Sequence, residues 1–270
     1  MISLMRLLSE IEDKPKAVIL AGAPGAGKGY VLKGLDLGDL KVLNVDNTFI
    51  GMLKKANVTL DLKNATPEER SEQAKAMAAA NKEFKGEVQA TIEGKESFIL
   101  DGTAASFNKT AELKQQLEEA GYDVFMLYVY TDLQRSLSQN QDRYEKSEGK
   151  DRSLAPAIVM RTWKSVTQNL DKYADLFGFN FVAVANTLDD IESISDLESI
   201  IKKYLTPFEP QNTKPKSPAQ QKRSDDNKAK DAEELKAMLN SDFVYDVIEK
   251  SISKEEAQMR IGKFLKTGNS

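Results

Sequence analysis

Short, continuous apolar runs punctuate this chain, and longer amphipathic stretches separate them. Ala17-Val-Ile-Leu-Ala21, Lys41-Val-Leu-Asn-Val45, Ser97-Phe-Ile-Leu100, Asp123–Tyr130 and Phe181-Val-Ala-Val184 each have the length and the β-branched or aromatic content of a buried strand. The intervening segments carry helical signals. A helix is expected from about Lys28. Residues 67–93 form another, because Pro67-Glu-Glu opens an Ala-, Met-, Lys- and Glu-rich run. Lys109–Ala120 is closed by Gly121, the usual residue just past a helix end. Further helices fit 132–145, 155–175 and 190–204. Strands alternating with helices predict an α/β fold in which a mainly parallel five-stranded sheet is covered on both faces. Ligands of such sheets bind at the carboxyl ends of the strands.

Two segments fall outside this alternation. Leu4, Leu7, Leu8 and Ile11 recur at helical spacing, so residues 1–15 read as an N-terminal amphipathic helix. After the main body, 16–205, the composition shifts. Residues 206–230 hold Pro207, Pro210, Pro215 and Pro218 among many polar residues and read as a disordered linker. Helical signals return at 231–240 and 253–266, with Leu235, Met238 and Leu239 on one face. Residues 231–270 therefore read as a small helical tail, available to dock a protein partner.

Composition narrows the chemistry. Of 270 residues, 40% are hydrophobic and 30% charged, the balance of a globular protein with enough chain for one sizeable core. The net charge of -4 argues against a general nucleic-acid binder. No stretch approaches the roughly 20 apolar residues of a membrane span, and the expected place is the cytoplasm. The chain contains no Cys and no His. Disulfides and thiolate metal sites are therefore excluded, and acid–base work falls to Asp, Glu, Lys or Tyr. The natural metal is one held by oxygen, such as Mg²⁺.

Gly22-Ala23-Pro24-Gly25-Ala26-Gly27-Lys28-Gly29 fits the phosphate-loop pattern G-x-x-x-x-G-K, between a strand and a helix. Glycines let successive backbone N–H groups turn towards an anion, and the helix adds its positive N-terminal end. Lys28 supplies a mobile charge for the β- and γ-phosphates. The bland reading is a glycine-rich turn that merely reverses the chain. Gly29 and then Tyr30 replace the usual hydroxyl residue, so Mg²⁺ would depend on Asp101 or Thr103, and a degenerate nucleotide site is the competing reading.

Three other places suggest themselves. Asp46, after the second strand, can accept the proton of an attacking hydroxyl, or simply cap the following helix. Asp101-Gly102-Thr103 ends the third strand, where a carboxylate can hold Mg²⁺, although Asp-Gly is also a common turn pair. Four of the eight arginines lie between Arg135 and Arg161. Arg143 and Arg152 flank a polar loop that can close as a lid on a transferring phosphoryl group, or serve as a salt-bridged surface. No Arg occurs from Asp36 to Glu69. A hydroxyl acceptor needs less positive charge there than a nucleoside monophosphate does.

Residues 16–204 resemble the zeta-toxin and polynucleotide-kinase-like group of P-loop kinases. The resemblance rests on Gly22–Gly29, Val45-Asp46-Asn-Thr-Phe49, Asp101-Gly-Thr103, Asp142-Arg143-Tyr144-Glu145 and Asp151-Arg152. It implies a P-loop kinase three-layer sandwich using ATP or GTP with Mg²⁺. It makes Asp46 the base and Arg143 and Arg152 phosphate ligands. The acceptors of that group include nucleotide sugars, polynucleotide 5′ ends, small metabolites and antibiotics. The expected activity is transfer of the γ-phosphate to a small-molecule or nucleotide-like hydroxyl; a nucleic-acid 5′ end is not favoured. A nucleoside-monophosphate kinase and a nucleotide-binding interaction protein with little turnover are the alternatives. The compact body with its short leader also resembles proteins of large tailed phages.

Overall fold

The computed structural model describes residues 14–34, 40–62, 64–148, 151–152, 154–186, 217–239 and 251–266. The expected N-terminal amphipathic helix and the closing helix at 190–204 lie outside them. β1 (Lys16–Ala21), β2 (Lys41–Leu43), β3 (Phe98–Asp101), β4 (Asp123–Tyr130) and β5 (Phe181–Ala185) form one sheet in the order β2-β3-β1-β4-β5. Every pairing is parallel. β1 is central and buried along its whole length, which is why its sequence after Lys16 is a continuous apolar run rather than an alternating one.

The helices are α1 (Lys28–Gly34), α2 (Val45–Lys55), α3 (Pro67–Glu93), α4 (Phe107–Glu119), α5 (Leu133–Lys146), α6 (Pro156–Thr167), α7 (Leu170–Phe177), α8 (Pro218–Leu239) and α9 (Lys254–Lys266). One sheet face, with Ala17, Ile19, Met126 and Tyr128, packs against Leu117 of α4, Trp163 of α6 and Tyr173 of α7. The other, with Val18, Leu20, Phe125 and Leu127, packs against Val31 of α1 and against α9. The result is the helix–sheet–helix sandwich. A smaller cluster of Phe49, Leu53, Leu60 and Ala80 joins α2 to α3 beside the β2 edge.

Local chemistry sets the boundaries. Thr66 and Glu69 form a reciprocal capping box, with Pro67 at the first turn of α3. Gly121 follows α4 at φ 84°. β2 stops two residues earlier than its apolar run suggests, because Asn44 caps α2 by accepting from Asp46 N–H at 2.7 Å. Asp46 thus lies in the first turn of a helix, not at a strand end. The single helix expected at 155–175 is two, α6 and α7, broken at Gln168 and Asn169.

Part of the expected linker is helical. α8 starts at Pro218, so 218–230 are ordered by the sequence that suggested otherwise; 206–216 lie outside the described residues. Ser217 and Gln220 cap the helix reciprocally, through Ser217 N–H to Gln220 Oε1 and Gln220 N–H to Ser217 Oγ. Pro218 is then a first-turn proline, not a linker proline. Nor does the tail stand apart. Ala232 and Leu235 of α8 enter one face of the core, and Lys164 Nζ donates to Asp231 and Glu234. Ala257, Ile261 and Phe264 of α9 enter the other. Of the face that the sequence offered to a partner, Leu235 is buried in the chain's own core and Met238 packs against it.

Candidate functional site

β1 runs directly into the glycine-rich loop, and α1 starts at Lys28. Gly22, Gly25 and Gly27 adopt φ of 152°, 76° and 77°, a region that side chains disfavour. Space excludes side chains as well. A Cβ on Gly25 would lie 2.3 Å from Ser136 O, and one on Gly22 would lie 2.6 Å from Val129 O. The loop is held from outside by groups that sequence inspection did not single out. Ser136 Oγ of α5 donates to Pro24 O. Gln139, with its amide turned so that both ends are satisfied, donates to Gly25 O and accepts from Arg135 Nε. Asn186, just past β5, donates from Nδ2 to Ala26 O at 2.8 Å. None belongs to a recognisable motif, so only the parallel topology could have found them.

Gly25→Ala is expected to abolish detectable ATP binding. It should also destabilise the chain by about 1–3 kcal/mol from the left-handed backbone alone, since the colliding atom belongs to the backbone of α5. Gly29→Ala is the contrast, because nothing lies within 4 Å of its added Cβ. Calorimetric ATP titration and thermal melts of the two variants check this. Equal behaviour would show that the Gly25 packing is not what shapes the loop.

Lys28, Asp46, Asp101, Arg143 and Arg152 come together at the carboxyl ends of the strands. Lys28 Nζ donates to Gly22 O at 3.1 Å and Ala23 O at 3.4 Å. Withdrawal from solvent lowers its pKa; the Asp101 and Asp46 carboxylates oppose that, and Arg143 and Arg152 add to it. Burial chiefly raises the pKa of Asp101, against the Lys28 charge and a hydrogen bond from Asn44. That bond, Asn44 Nδ2 to Asp101 Oδ2, is 2.6 Å. Asp101 Oδ1 is buried and has no hydrogen-bond partner. Thr103 meets the loop through its backbone, accepting from Gly22 N–H at 3.3 Å.

Arg143 and Arg152 are held differently. Arg152 Nη2 donates to Asp46 Oδ2, and both side chains are largely shielded. Arg143 Nε donates to Asp151 Oδ2, while Asp151 Oδ1 accepts from Arg152 N–H at 2.7 Å. Asp151 therefore tethers both arginines. Tyr30 is exposed, with Lys254 Nζ 4.2 Å from its ring centroid, and it takes no part in this cluster.

The donor set bears on a bound nucleotide and metal. The loop geometry fits a phosphate group. A single orphaned carboxylate oxygen fits Mg²⁺, which takes one or two carboxylates and completes its shell with phosphate oxygens and water. No cluster of three or more acidic residues suited to a metal occurs among the described residues. Among them too, no helix is long and apolar enough to cross a membrane.

A family model described as zeta toxin matches residues 6–196. No curated protein matches the chain. Solved structures similar to it include the following two. The AvrRxo1-ORF1:AvrRxo1-ORF2 complex with sulphate ions aligns at TM-score 0.50 and 17% identity, covering 88% of this chain and 80% of that one. The PezAT chromosomal toxin–antitoxin system of Streptococcus pneumoniae aligns at TM-score 0.49 and 16% identity, covering 87% and 94%.

Proposed function

The chain belongs to the zeta toxin family, and we propose that it is a kinase that transfers the γ-phosphate of ATP or GTP to a hydroxyl acceptor. The observation that carries this reading is the convergence of opposed charges on the phosphate loop. Lys28, Asp46, Asp101, Arg143 and Arg152 act on one another electrostatically there, although up to 124 positions separate them in sequence.

The residues divide the work. Backbone N–H groups of Gly22–Gly29 and the start of α1 bind the phosphates, with Lys28 between the β and γ groups. Asp101 Oδ1, with Thr103 nearby, would hold Mg²⁺, and the ion would supply positive charge to offset that of the phosphates. Asp46 takes the proton of the acceptor hydroxyl as the new O–P bond forms. The bond from the γ-phosphorus to the bridging oxygen breaks, and its electron pair leaves with the nucleoside diphosphate. Arg143 and Arg152 stabilise the charge spread over the transferring group. Arg152 must then exchange its bond to Asp46 for one to the phosphoryl group, so lid closure over substrate frees the base as it supplies the cation.

A metabolite-extract screen with radiolabelled ATP tests this. Mg²⁺-dependent labelling of a hydroxyl compound is expected, and Lys28→Ala should remove it. Diphosphate formation from a panel of mononucleotides would overturn the hydroxyl acceptor. ATP binding with no transfer to any acceptor would overturn the kinase and leave a nucleotide-binding protein.

A further inference from the structure

We infer that Asn44 is a positioning residue whose single carboxamide sets both acidic groups of the site, ordering the first turn that carries Asp46 and turning one oxygen of Asp101 towards the cation. The inference rests on the kinase reading above. Both ends of the amide are used. Oδ1 accepts from Asp46 N–H at 2.7 Å, and Nδ2 donates to Asp101 Oδ2 at 2.6 Å. No other described side chain bonds to both of these residues.

The consequence for Asp101 is directional. A carboxylate has two equivalent oxygens and can rotate. With Oδ2 held by an amide donor, Oδ1 is the oxygen left over, and it is buried without a partner. A buried acceptor in that state is costly unless a cation or donor completes it. The amide also suits the charge balance. Asp46 and Asp101 bring two acidic groups to one amide, which adds no charge of its own. A carboxylate at position 44 would instead add a third negative group and could not donate. A short hydroxyl would cap the helix yet stop short of Asp101. Capping and tethering are therefore separable by substitution.

Asn44→Ser and Asn44→Asp both retain a good helix cap, so thermal stability at neutral pH serves as the folding control. The probe is ATP, titrated calorimetrically into the full chain with and without Mg²⁺ at neutral pH. In the wild type, Mg²⁺ should tighten ATP binding. Asn44→Ser should bind metal-free ATP normally while losing most of the Mg²⁺ gain, about tenfold. Asn44→Asp, which cannot donate to Asp101 either, should lose it as well. If Asn44→Ser keeps the Mg²⁺ gain, Asn44 is only a helix cap and the inference fails. If the wild type binds no ATP at all, the kinase reading fails first and takes this inference with it.

Discussion

Asp46→Asn should lower phosphoryl transfer by about 10²–10⁴-fold, the range lost when a positioned general base is removed, while ATP affinity stays near that of the wild type. Asparagine occupies nearly the same volume and still offers an oxygen to Arg152, so the lid contact survives. The first turn of α2 also survives, because its cap uses the backbone N–H of residue 46 and the side chain of Asn44. What disappears is the capacity to take a proton. The chain has no His, and the other acidic group bonded to Asn44 is Asp101, which the proposed mechanism commits to Mg²⁺. Single-turnover transfer to the acceptor found by screening, beside a calorimetric ATP titration, separates the two effects. Undiminished transfer would remove Asp46 from the chemistry and leave it as a lid anchor.

How much of this was visible beforehand depends on whether a feature is local. Strands β1, β3, β4 and β5, the phosphate loop and the start of α3 at Pro67 are written in neighbouring residues, and each lies within two residues of its expected place. Asp46, Asp101, Arg143 and Arg152 were legible as chemical types beside predicted strand ends or a polar loop. Their partners were not. The roles of Asn44, Ser136, Asp151 and Asn186 depend on pairings across the sheet or the lid, as between Asn186 and Ala26, which no periodicity encodes. The opposite error occurred at residues 218–230. Pro218 and the polar residues after it looked like a linker, although Ser217-Pro-Ala-Gln220 has the spacing of a helix start. The amphipathic residues beyond it look alike whether they await a partner or cover the chain's own sheet. Periodicity reveals an apolar face but not what it meets.

That last ambiguity leads to the largest expected effect on stability. A chain cut at residue 205, the boundary that composition suggests, should fail to give a cooperative thermal transition, and so should one cut at residue 250. The family match ends at residue 196, yet Ala257, Ile261 and Phe264 of α9 are buried against Val18, Leu20, Phe125 and Val184. Phe264 packs on Phe125 with ring centroids 5.0 Å apart, and Lys16 Nζ lies over the Phe264 ring. Just before α9, Ile252 N–H donates to Ala183 O of β5 at 2.8 Å. Losing a buried Phe and a buried Ile forfeits about 1.5–3 kcal/mol each, and the sheet residues they cover become exposed in turn. Domains hold only about 5–15 kcal/mol in all. Phe264→Ala isolates one contact and should cost about 3–5 kcal/mol, read as a lower melting temperature with the cooperative transition retained. The damage should also reach the nucleotide site, because the strands that α9 covers are those whose ends carry the phosphate loop and Asn186. A chain ending at residue 250 that melts cooperatively and binds ATP normally would show that α9 is an accessory layer rather than part of the core.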